Sequence, residues 1–239
     1  LSSRCNLTCP VCFASANQAG YLSEPSYEMV VEMLVALRER KPVPVTAVQF
    51  TGGEPTMHPD FFRIVKKAND MGFTHVQIAS NGILMSEPEF AKKAAEAGLH
   101  TVYLQFDGVK DELYQKLRGK PLMEVKKAAV ENCRQNDIRI CLVPTIVKGV
   151  NDSADVWRDM WREQVRVGCI PYYMFVERDT GPRHYFEVPL ARALPLSSCS
   201  SRGMATPSLA SAPDSARTPW DFDVKCISPR SFCRSWSSV

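Results

Sequence analysis

Short apolar segments alternate with amphipathic helices along most of this 239-residue chain, and this alternation limits the fold more than any other feature. Such alternation is typical of βαβ units with a parallel sheet. Right-handed crossovers curl these units into a full or partial barrel. The predicted strands are 46–50, 75–79, 101–106, 139–143 and 170–176. The predicted helices are 27–40, 61–71, 87–97, 122–136 and 156–167.

Polar and glycine-containing motifs follow the predicted strands directly. The run TGGEP (51–55) follows the first strand, SNG (80–82) follows the second and DG (107–108) follows the third. The C-terminal ends of parallel strands meet at one face, where α/β barrels place their active sites. The sequence therefore predicts an α/β domain with a functional site on that face.

Three cysteines with CxxxCxxC spacing, Cys5, Cys9 and Cys12, lie in a short loop before the first predicted helix. Thiolates hold iron–sulfur clusters, normally one per iron of a four-iron cluster. Three thiolates leave one iron with an open position, which a catalytic metal needs and a structural one avoids. The same spacing is compatible with half of a zinc site or with core thiols, although no second CxxC pair stands in this domain.

The composition limits the class of protein and its partners. Apolar residues make up 45% of the chain and charged residues 23%, an ordinary balance for a globular protein. A formal net charge of +3 without a Lys/Arg-rich block gives no reason to expect a nucleic acid partner. No apolar run reaches the length of a membrane span. Nine unevenly spaced cysteines favour metal-binding thiols in a reduced compartment, so we expect the cytoplasm.

The two ends of the chain depart from this pattern. The chain begins at Leu1 rather than Met, which we interpret as a fragment that lacks its natural N-terminus. From about residue 195 serines and prolines dominate, and no helix is predicted after the last strand. Such a composition does not bury enough surface to offset its ordering entropy. We predict one domain over 1–194 and a tail over 195–239 that is disordered or derived from a frameshifted gene end.

The order and spacing of the cysteine triad, the TGGEP run and the SNG run resemble the radical S-adenosylmethionine (SAM) superfamily over about residues 1 to 190. The resemblance implies a partial (βα)6 TIM-like barrel whose truncated first strand survives as residues 1–3, leaving five readable strands. It implies a [4Fe-4S] cluster on Cys5, Cys9 and Cys12, with SAM chelated by the fourth iron. It also implies a reductant such as ferredoxin or flavodoxin.

The same resemblance assigns further residues to SAM. Gly52, Gly53 and Glu54 match the segment that meets the methionine ammonium group. Glycines allow close backbone approach, and a carboxylate pairs with a cation. The alternative for the two glycines is a tight turn after the strand. Ser80 and Asn81 match the contacts to the ribose or carboxylate of the cofactor.

The remaining expected SAM contacts are an aromatic residue and two polar residues after a later strand. Phe13 follows the third cysteine, whereas the position before it, which is usually aromatic in the family, is Val11. Gln105 and Asp107 are expected to hydrogen-bond the ribose hydroxyls. The alternative for Asp107 is a turn-capping Asp-Gly pair.

Other chemically active side chains receive structural interpretations. Cys133, Cys141 and Cys169 are predicted to be buried small apolar residues. The four histidines have no ligand spacing and are interpreted as structural or solvated. Lysine pairs on predicted helices, among them Lys126 and Lys127, are expected on solvated faces.

The sequence thus predicts an enzyme that cleaves SAM reductively into methionine and a 5′-deoxyadenosyl radical, which removes hydrogen from an unknown substrate. An electron-transfer iron–sulfur protein, a zinc-binding module and an inactive fragment stay open as alternatives. The N-terminal part resembles the branch of tetraether-lipid synthases and molybdenum-cofactor-type enzymes. Residues of about 156–190 instead resemble lysine 2,3-aminomutase-type proteins. Either the branch is uncommon or the sequence joins two sources near 150–156.

Overall fold

The structure is a computed structural model that describes residues 1–12, 14, 16–17, 20, 22–171, 174–176, 183–194 and 196. Its main feature is a parallel sheet flanked by helices. The strands are β1 (Ala47–Phe50), β2 (His75–Ser80), β3 (Thr101–Leu104), β4 (Arg139–Leu142), β5 (Thr145–Ile146), β6 (Ile170–Pro171) and β7 (Phe175–Val176). The helices are α1 (Tyr27–Arg38), α2 (Phe61–Asp70), α3 (Pro88–Glu96), α4 (Asp111–Arg118), α5 (Met123–Gln135), α6 (Ala154–Arg166) and α7 (Arg183–Phe186).

Neighbouring strands of the main sheet follow one another along the chain. The order is β1-β2-β3-β4-β6, every pair is parallel, and Ala47 of β1 is aligned with His75 of β2. Each crossover therefore carries a helix and advances by one strand, which is the construction of an α/β barrel wall. This arrangement confirms the predicted fold class. Residues 1–4 hydrogen-bond to the end of β1 without forming a strand of their own.

The last part of the barrel wall is interrupted. β5 pairs in parallel with β7 in a separate two-stranded sheet, and the N–H of Phe175 donates to the carbonyl of Pro144 at 3.0 Å. The predicted strand over 170–176 is therefore wrong as one continuous element, because Met174 lies in no strand between β6 and β7. Residues 172 and 173 lie outside the described residues.

Three α-helical segments of the described residues were not predicted. The helix α4 begins at Asp111 with acidic residues in its first turn, has basic residues in its last turn, and is followed by Gly119 at φ +75°. These are standard start and stop signals, but the segment is only eight residues long. The four-residue α7 and a helical turn over 190–194 contradict the expectation of no helix after the last strand. The predicted tail lies outside the described residues apart from position 196, so the boundary at 194/195 stays a prediction.

Two apolar clusters hold the domain together. The larger one fills the space between the sheet and its helices, with Ile64, Ile78 and Trp157 fully buried. The smaller one lies under the cysteine loop and consists of Leu7, Cys9, Val11, Tyr114, Leu117, Leu122 and Val147. The cysteine loop is therefore packed onto α4 and the segments that follow it.

The cysteines of the described region are free thiols. Cys133, Cys141 and Cys169 are buried, as predicted. In the portion of the chain that the structure covers, we found no helix with both the length and the apolar character needed to cross a bilayer.

Candidate active site

The cysteine loop is folded back on itself by Asn17. Its side-chain oxygen accepts from the N–H of Cys5 at 3.1 Å, and its amide nitrogen donates to the carbonyls of Cys5 and Leu7 at 2.8 and 3.1 Å. The N–H of Cys12 donates to the carbonyl of Cys9 at 3.2 Å and closes a tight turn. These bonds fix the loop backbone on both sides of the three thiols.

The three thiols lie within electrostatic reach of one another. Burial raises the pKa of Cys5 and of Cys9, and negative charge on Cys12 acts in the same direction on both. Burial is the largest cause in each case, and Arg118 opposes it at Cys9. Metal binding requires thiolates, so loading this loop with iron releases protons.

The cysteine loop offers three thiols as metal ligands. Among the described residues, no group of three or more His, Cys, Asp or Glu side chains has a geometry that could hold one metal ion. In a four-iron cluster each thiolate binds a different iron, so the sulfurs surround the cluster and do not converge on one point. Three neighbouring free thiols on one loop fit that requirement.

Gly52 and Gly53 allow the N-terminal segment to run against the end of β1. The N–H of Gly53 donates to the carbonyl of Ser2 at 2.6 Å, and the N–H of Glu54 donates to that of Arg4 at 2.8 Å. A Cβ on Gly52 would lie 2.3 Å from the Ser2 carbonyl oxygen, and one on Gly53 would lie 2.3 Å from that of Arg4. The glycine pair is therefore required by a close approach of two backbone segments.

The carboxylate of Glu54 is buried and joins the ends of β1 and β2. One oxygen accepts from the hydroxyls of Thr56 at 2.6 Å and Ser80 at 2.8 Å, and the other accepts from the N–H of Asn81 at 2.7 Å. Only 1% of the residue is exposed. Burial raises the pKa of Glu54, while these hydrogen bonds favour its charged form. The Glu54 carboxylate therefore already accepts hydrogen bonds from three groups of the protein.

Asn81 connects this carboxylate to the cysteine loop. Its side-chain nitrogen donates to Asn6 Oδ1 at 2.7 Å and lies 3.8 Å from the sulfur of Cys5. Its side-chain oxygen accepts from the N–H of Ile83 at 3.0 Å, which fixes the turn after β2. The structure therefore brings the TGGEP run, the SNG run and the cysteine loop together.

Gln105 and Asp107, after β3, both face Arg118. The two carboxylate oxygens of Asp107 accept from Nε and Nη2 of Arg118 at 2.8 and 2.7 Å. With its amide oxygen turned toward the guanidinium, Gln105 accepts from Nη1 at 2.9 Å. Asp107 is fully buried and Arg118 is 3% exposed. Contact of Gln105 and Asp107 with ribose stays a prediction.

Lys126 is a buried member of the site, and the expectation of a solvated position for it was wrong. It is fully buried on α5, and its Nζ donates to the carbonyl of Asn81. Nζ also lies 5.7 Å from the ring centre of Tyr114, whose hydroxyl donates to the carbonyl of Gly108 at 3.0 Å. Burial lowers the pKa of Lys126 from 10.5 to about 8. The adjacent lysines 126 and 127 did not indicate burial in the sequence, because one of them faces inward and the other is exposed.

The structure thus assembles all but one of the predicted site residues at the C-terminal ends of β1, β2 and β3. Phe13 lies outside the described residues, so its expected contact stays a prediction. Sequence reasoning missed Arg118 and Lys126. For Arg118 the available signal was its place in the last turn before Gly119, which indicates a helix end but not burial.

Comparison with known proteins identifies relatives for this arrangement. Residues 1–158 match the family model described as the Radical SAM superfamily. A 7,8-dihydro-6-hydroxymethylpterin dimethyltransferase of Methanocaldococcus jannaschii is 48% identical over 154 residues, which cover 64% of this chain and 30% of the relative. An Fe-coproporphyrin III synthase of Methanosarcina barkeri is 31% identical over 181 residues, covering 74% of this chain and 44% of the relative.

Solved structures show the same fold at low identity. Streptococcus suis SuiB bound to S-adenosylmethionine superposes with a TM-score of 0.68 at 16% identity, over 84% of this chain and 45% of that protein. The chain therefore spans less than half the length of these relatives. The family match ends at residue 158, so the aminomutase-like resemblance of the segment after it stays a prediction.

We predict that Gly53→Ala destabilises the protein by about 1–3 kcal/mol, because the new methyl group meets backbone that has to move. Urea unfolding measures the loss. Gly108→Ala is the matched control, since the one atom within 3.0 Å of its new methyl group is Cδ1 of Leu113, at 2.3 Å, which is the end of a flexible side chain and not backbone. Equal losses in the two variants would contradict the close-approach explanation.

We predict that Lys126→Met removes a pH dependence of stability. The folded pKa of Lys126 lies below its ordinary value of 10.5, at about 8. Between these two pH values the unfolded chain binds more protons, so this residue makes stability rise with pH. The free energy of unfolding of the wild type, minus that of the variant, should increase across this window by at most about 1.4 kcal/mol per pH unit. A constant difference would show that Lys126 titrates normally.

Proposed function

Because the chain belongs to the radical SAM superfamily, we propose that it is the cluster-binding barrel of an enzyme that cleaves SAM reductively. The observation that carries the proposal is the connection made by Asn81. Its backbone is held by Glu54 after β1, and its side chain reaches Asn6 and the sulfur of Cys5. The thiol loop and the strand ends are therefore parts of one site.

The proposal assigns the cluster to Cys5, Cys9 and Cys12. Radical SAM proteins use a [4Fe-4S] cluster and SAM, and when bound these supply the electron and the 5′-deoxyadenosyl radical that attacks substrate. The chain itself holds the three thiols on one loop. Asn17 fixes the backbone of this loop, and the loop packs on α4. A fourth ligand from the protein is not needed in this assignment.

The remaining assignments concern the amino-acid end of SAM. Glu54 already accepts from three neighbouring residues, so we propose that it acts by fixing the backbone of the strand ends. Direct contact with the ammonium group then falls to the backbone at Gly52 and Gly53. Ser80, Asn81, Gln105, Asp107 and Phe13 are proposed for the contacts that the family resemblance gives them.

Partners and location follow from the same proposal. The cluster needs an electron, and a small iron–sulfur or flavin protein such as ferredoxin or flavodoxin is the proposed donor. Free thiols throughout the described region are compatible with a reduced compartment, and we propose the cytoplasm. The substrate is a separate proposal, because the chain spans less than half the length of the relatives described above.

A reduced pterin is the first substrate class to test. The support is the 48% identity with a protein described as a 7,8-dihydro-6-hydroxymethylpterin dimethyltransferase. That identity extends over 154 residues, whereas the other two relatives described above are 31% and 16% identical to this chain. We propose a pterin as the compound on which this site acts.

We predict that the anaerobically reconstituted chain binds about four irons and releases 5′-deoxyadenosine from SAM when a reductant is added. Cys9→Ala should lower both iron content and cleavage by more than about 100-fold, since loss of a ligand exceeds the effect of an outer-shell change. Cys133→Ala is the control, because it removes a buried thiol of α5 outside the loop. A Cys9→Ala protein that keeps its cluster and its cleavage would refute the ligand assignment.

The pterin assignment has its own measurement. 7,8-dihydro-6-hydroxymethylpterin that carries deuterium on its carbon atoms is incubated with the reconstituted chain, SAM and reductant, and deuterium in the released 5′-deoxyadenosine is measured by mass spectrometry. Transfer of deuterium is the expected result, because the radical takes a hydrogen atom from a substrate carbon. SAM cleavage without any deuterium transfer would reject this substrate class and leave the cleavage proposal standing.

A further inference from the structure

The backbone of Asn81 is held from both sides by buried charged side chains. Its N–H donates to Oε2 of Glu54 at 2.7 Å, and its carbonyl accepts from Nζ of Lys126. Glu54 is 1% exposed and Lys126 is fully buried. Buried charges need hydrogen-bond partners, and here the two peptide groups of Asn81 supply them. Asn81 is therefore fixed between an anion and a cation.

The side chain of Asn81 is oriented by three further contacts. Its Oδ1 accepts from the N–H of Ile83 at 3.0 Å, which identifies the other end of the amide as the donor. This donor, Nδ2, binds Oδ1 of Asn6 at 2.7 Å and lies 3.8 Å from the sulfur of Cys5, within hydrogen-bond reach of sulfur. An amide nitrogen carries two N–H groups, so it can serve both acceptors.

The sulfur of Cys5 becomes a better acceptor when it binds metal. Cysteine ligates metal as the thiolate, and hydrogen bonds to an ionised acceptor are stronger than those to a neutral one. Asn81 is 7% exposed and Cys5 is partly buried, so little water competes for this contact. The amide of Asn81 therefore lies where a donor acts on a cluster ligand.

We propose that the side-chain amide of Asn81 is a hydrogen-bond donor to the Cys5 sulfur that makes the bound cluster easier to reduce. This inference rests on the proposed function, since it requires a cluster on the three thiols. Hydrogen bonds to the sulfurs are one of the factors that set the reduction potential of an iron–sulfur cluster. A donor favours the form with more negative charge on its ligands, which is the reduced form.

The test is the reduction potential of the reconstituted cluster, followed by electron paramagnetic resonance during a mediated redox titration. SAM is left out, because Asn81 is also proposed for a SAM contact. Asn81→Ala removes the donor but keeps both backbone groups, so Glu54 and Lys126 retain their partners. At a fixed applied potential, the ratio of reduced to oxidised cluster should fall by about 3- to 10-fold, the effect of one hydrogen bond. The potential of this variant is then more negative than that of the wild type.

A second substitution at the same position adds a charge. Asn81→Asp keeps an oxygen for the N–H of Ile83, lacks the side-chain N–H groups and carries a negative charge. Its potential should therefore be more negative than that of Asn81→Ala. Asn136→Asp is the matched control, because it makes the same change at the C-terminal end of α5, whereas Lys126 lies near its start. This control should keep the wild-type potential.

Asn6→Ala separates a direct effect on the sulfur from an anchoring effect on the loop. If Asn81 acts only by holding Asn6, this variant reproduces the shift of Asn81→Ala, and the inference is overturned. If the contact with Cys5 carries the effect, Asn6→Ala keeps the wild-type potential. If Asn81→Ala does not fold or does not bind iron, Asn81→Asp decides, and a wild-type potential in that variant overturns the inference.

Iron binding by the wild type is measured first and keeps this inference separate from the proposed function. A wild-type chain that binds no cluster refutes the proposed function and, with it, this inference. A wild-type chain that binds a cluster, with Asn81 variants that share its potential, refutes only the role of Asn81. Iron content and thermal unfolding are recorded for every variant, so that potentials are compared only among folded, loaded proteins.

Discussion

The burial of the Glu54 carboxylate is the constraint on which the site depends. A buried anion is tolerated only when hydrogen bonds replace its lost hydration, and Glu54 obtains them from Thr56, Ser80 and the N–H of Asn81. The donors come from the segments after β1 and β2, so the carboxylate sets the position of one strand end relative to the next. The side chain of Asn81 in turn contacts Asn6 and Cys5, so the position of the cysteine loop is tied to the same carboxylate. The glutamate of the TGGEP run is thus first a structural anchor, and its effect on any ligand passes through backbone that it holds.

Buried charged side chains on α4 and α5 are also satisfied by groups of the protein. Asp107 satisfies Arg118, while Lys126 donates to the carbonyl of Asn81 and lies over the ring of Tyr114. Charges inside a protein cost free energy unless they are paired, and they stabilise the fold only weakly when they are. Their presence in one small region is therefore better explained by the site than by stability. The thiol loop therefore packs on a rigid support, in which Arg118 opposes the burial that raises the pKa of Cys9.

The sequence predicted the parts of this structure that depend on local patterns. Apolar strands followed by glycine and polar runs marked the ends of β1 and β2, and the spacing of Cys5, Cys9 and Cys12 marked the loop. What it did not predict depends on contacts distant in sequence. Lys126 looked like any exposed lysine, and its burial is decided by the carbonyl of Asn81, 45 positions earlier in the chain. The short helix α4 was missed although its end charges and Gly119 were visible, because eight residues give a weak periodic signal. The division of the predicted strand 170–176 into β6 and β7 likewise depends on the neighbouring strands, since β6 pairs with β4 and β7 pairs with β5.

The buried contacts around the cysteine loop belong to the part of the chain that matches the family. The buried network, from Ser2 beside Gly53 to Lys126, lies entirely within residues 1–158. Relatives described as a pterin dimethyltransferase and an Fe-coproporphyrin III synthase are both similar to this chain, although their names indicate different products. The residues proposed for the cluster and SAM, apart from Phe13, therefore take part in contacts inside the family span, whereas the proposed substrate rests on the name of one relative.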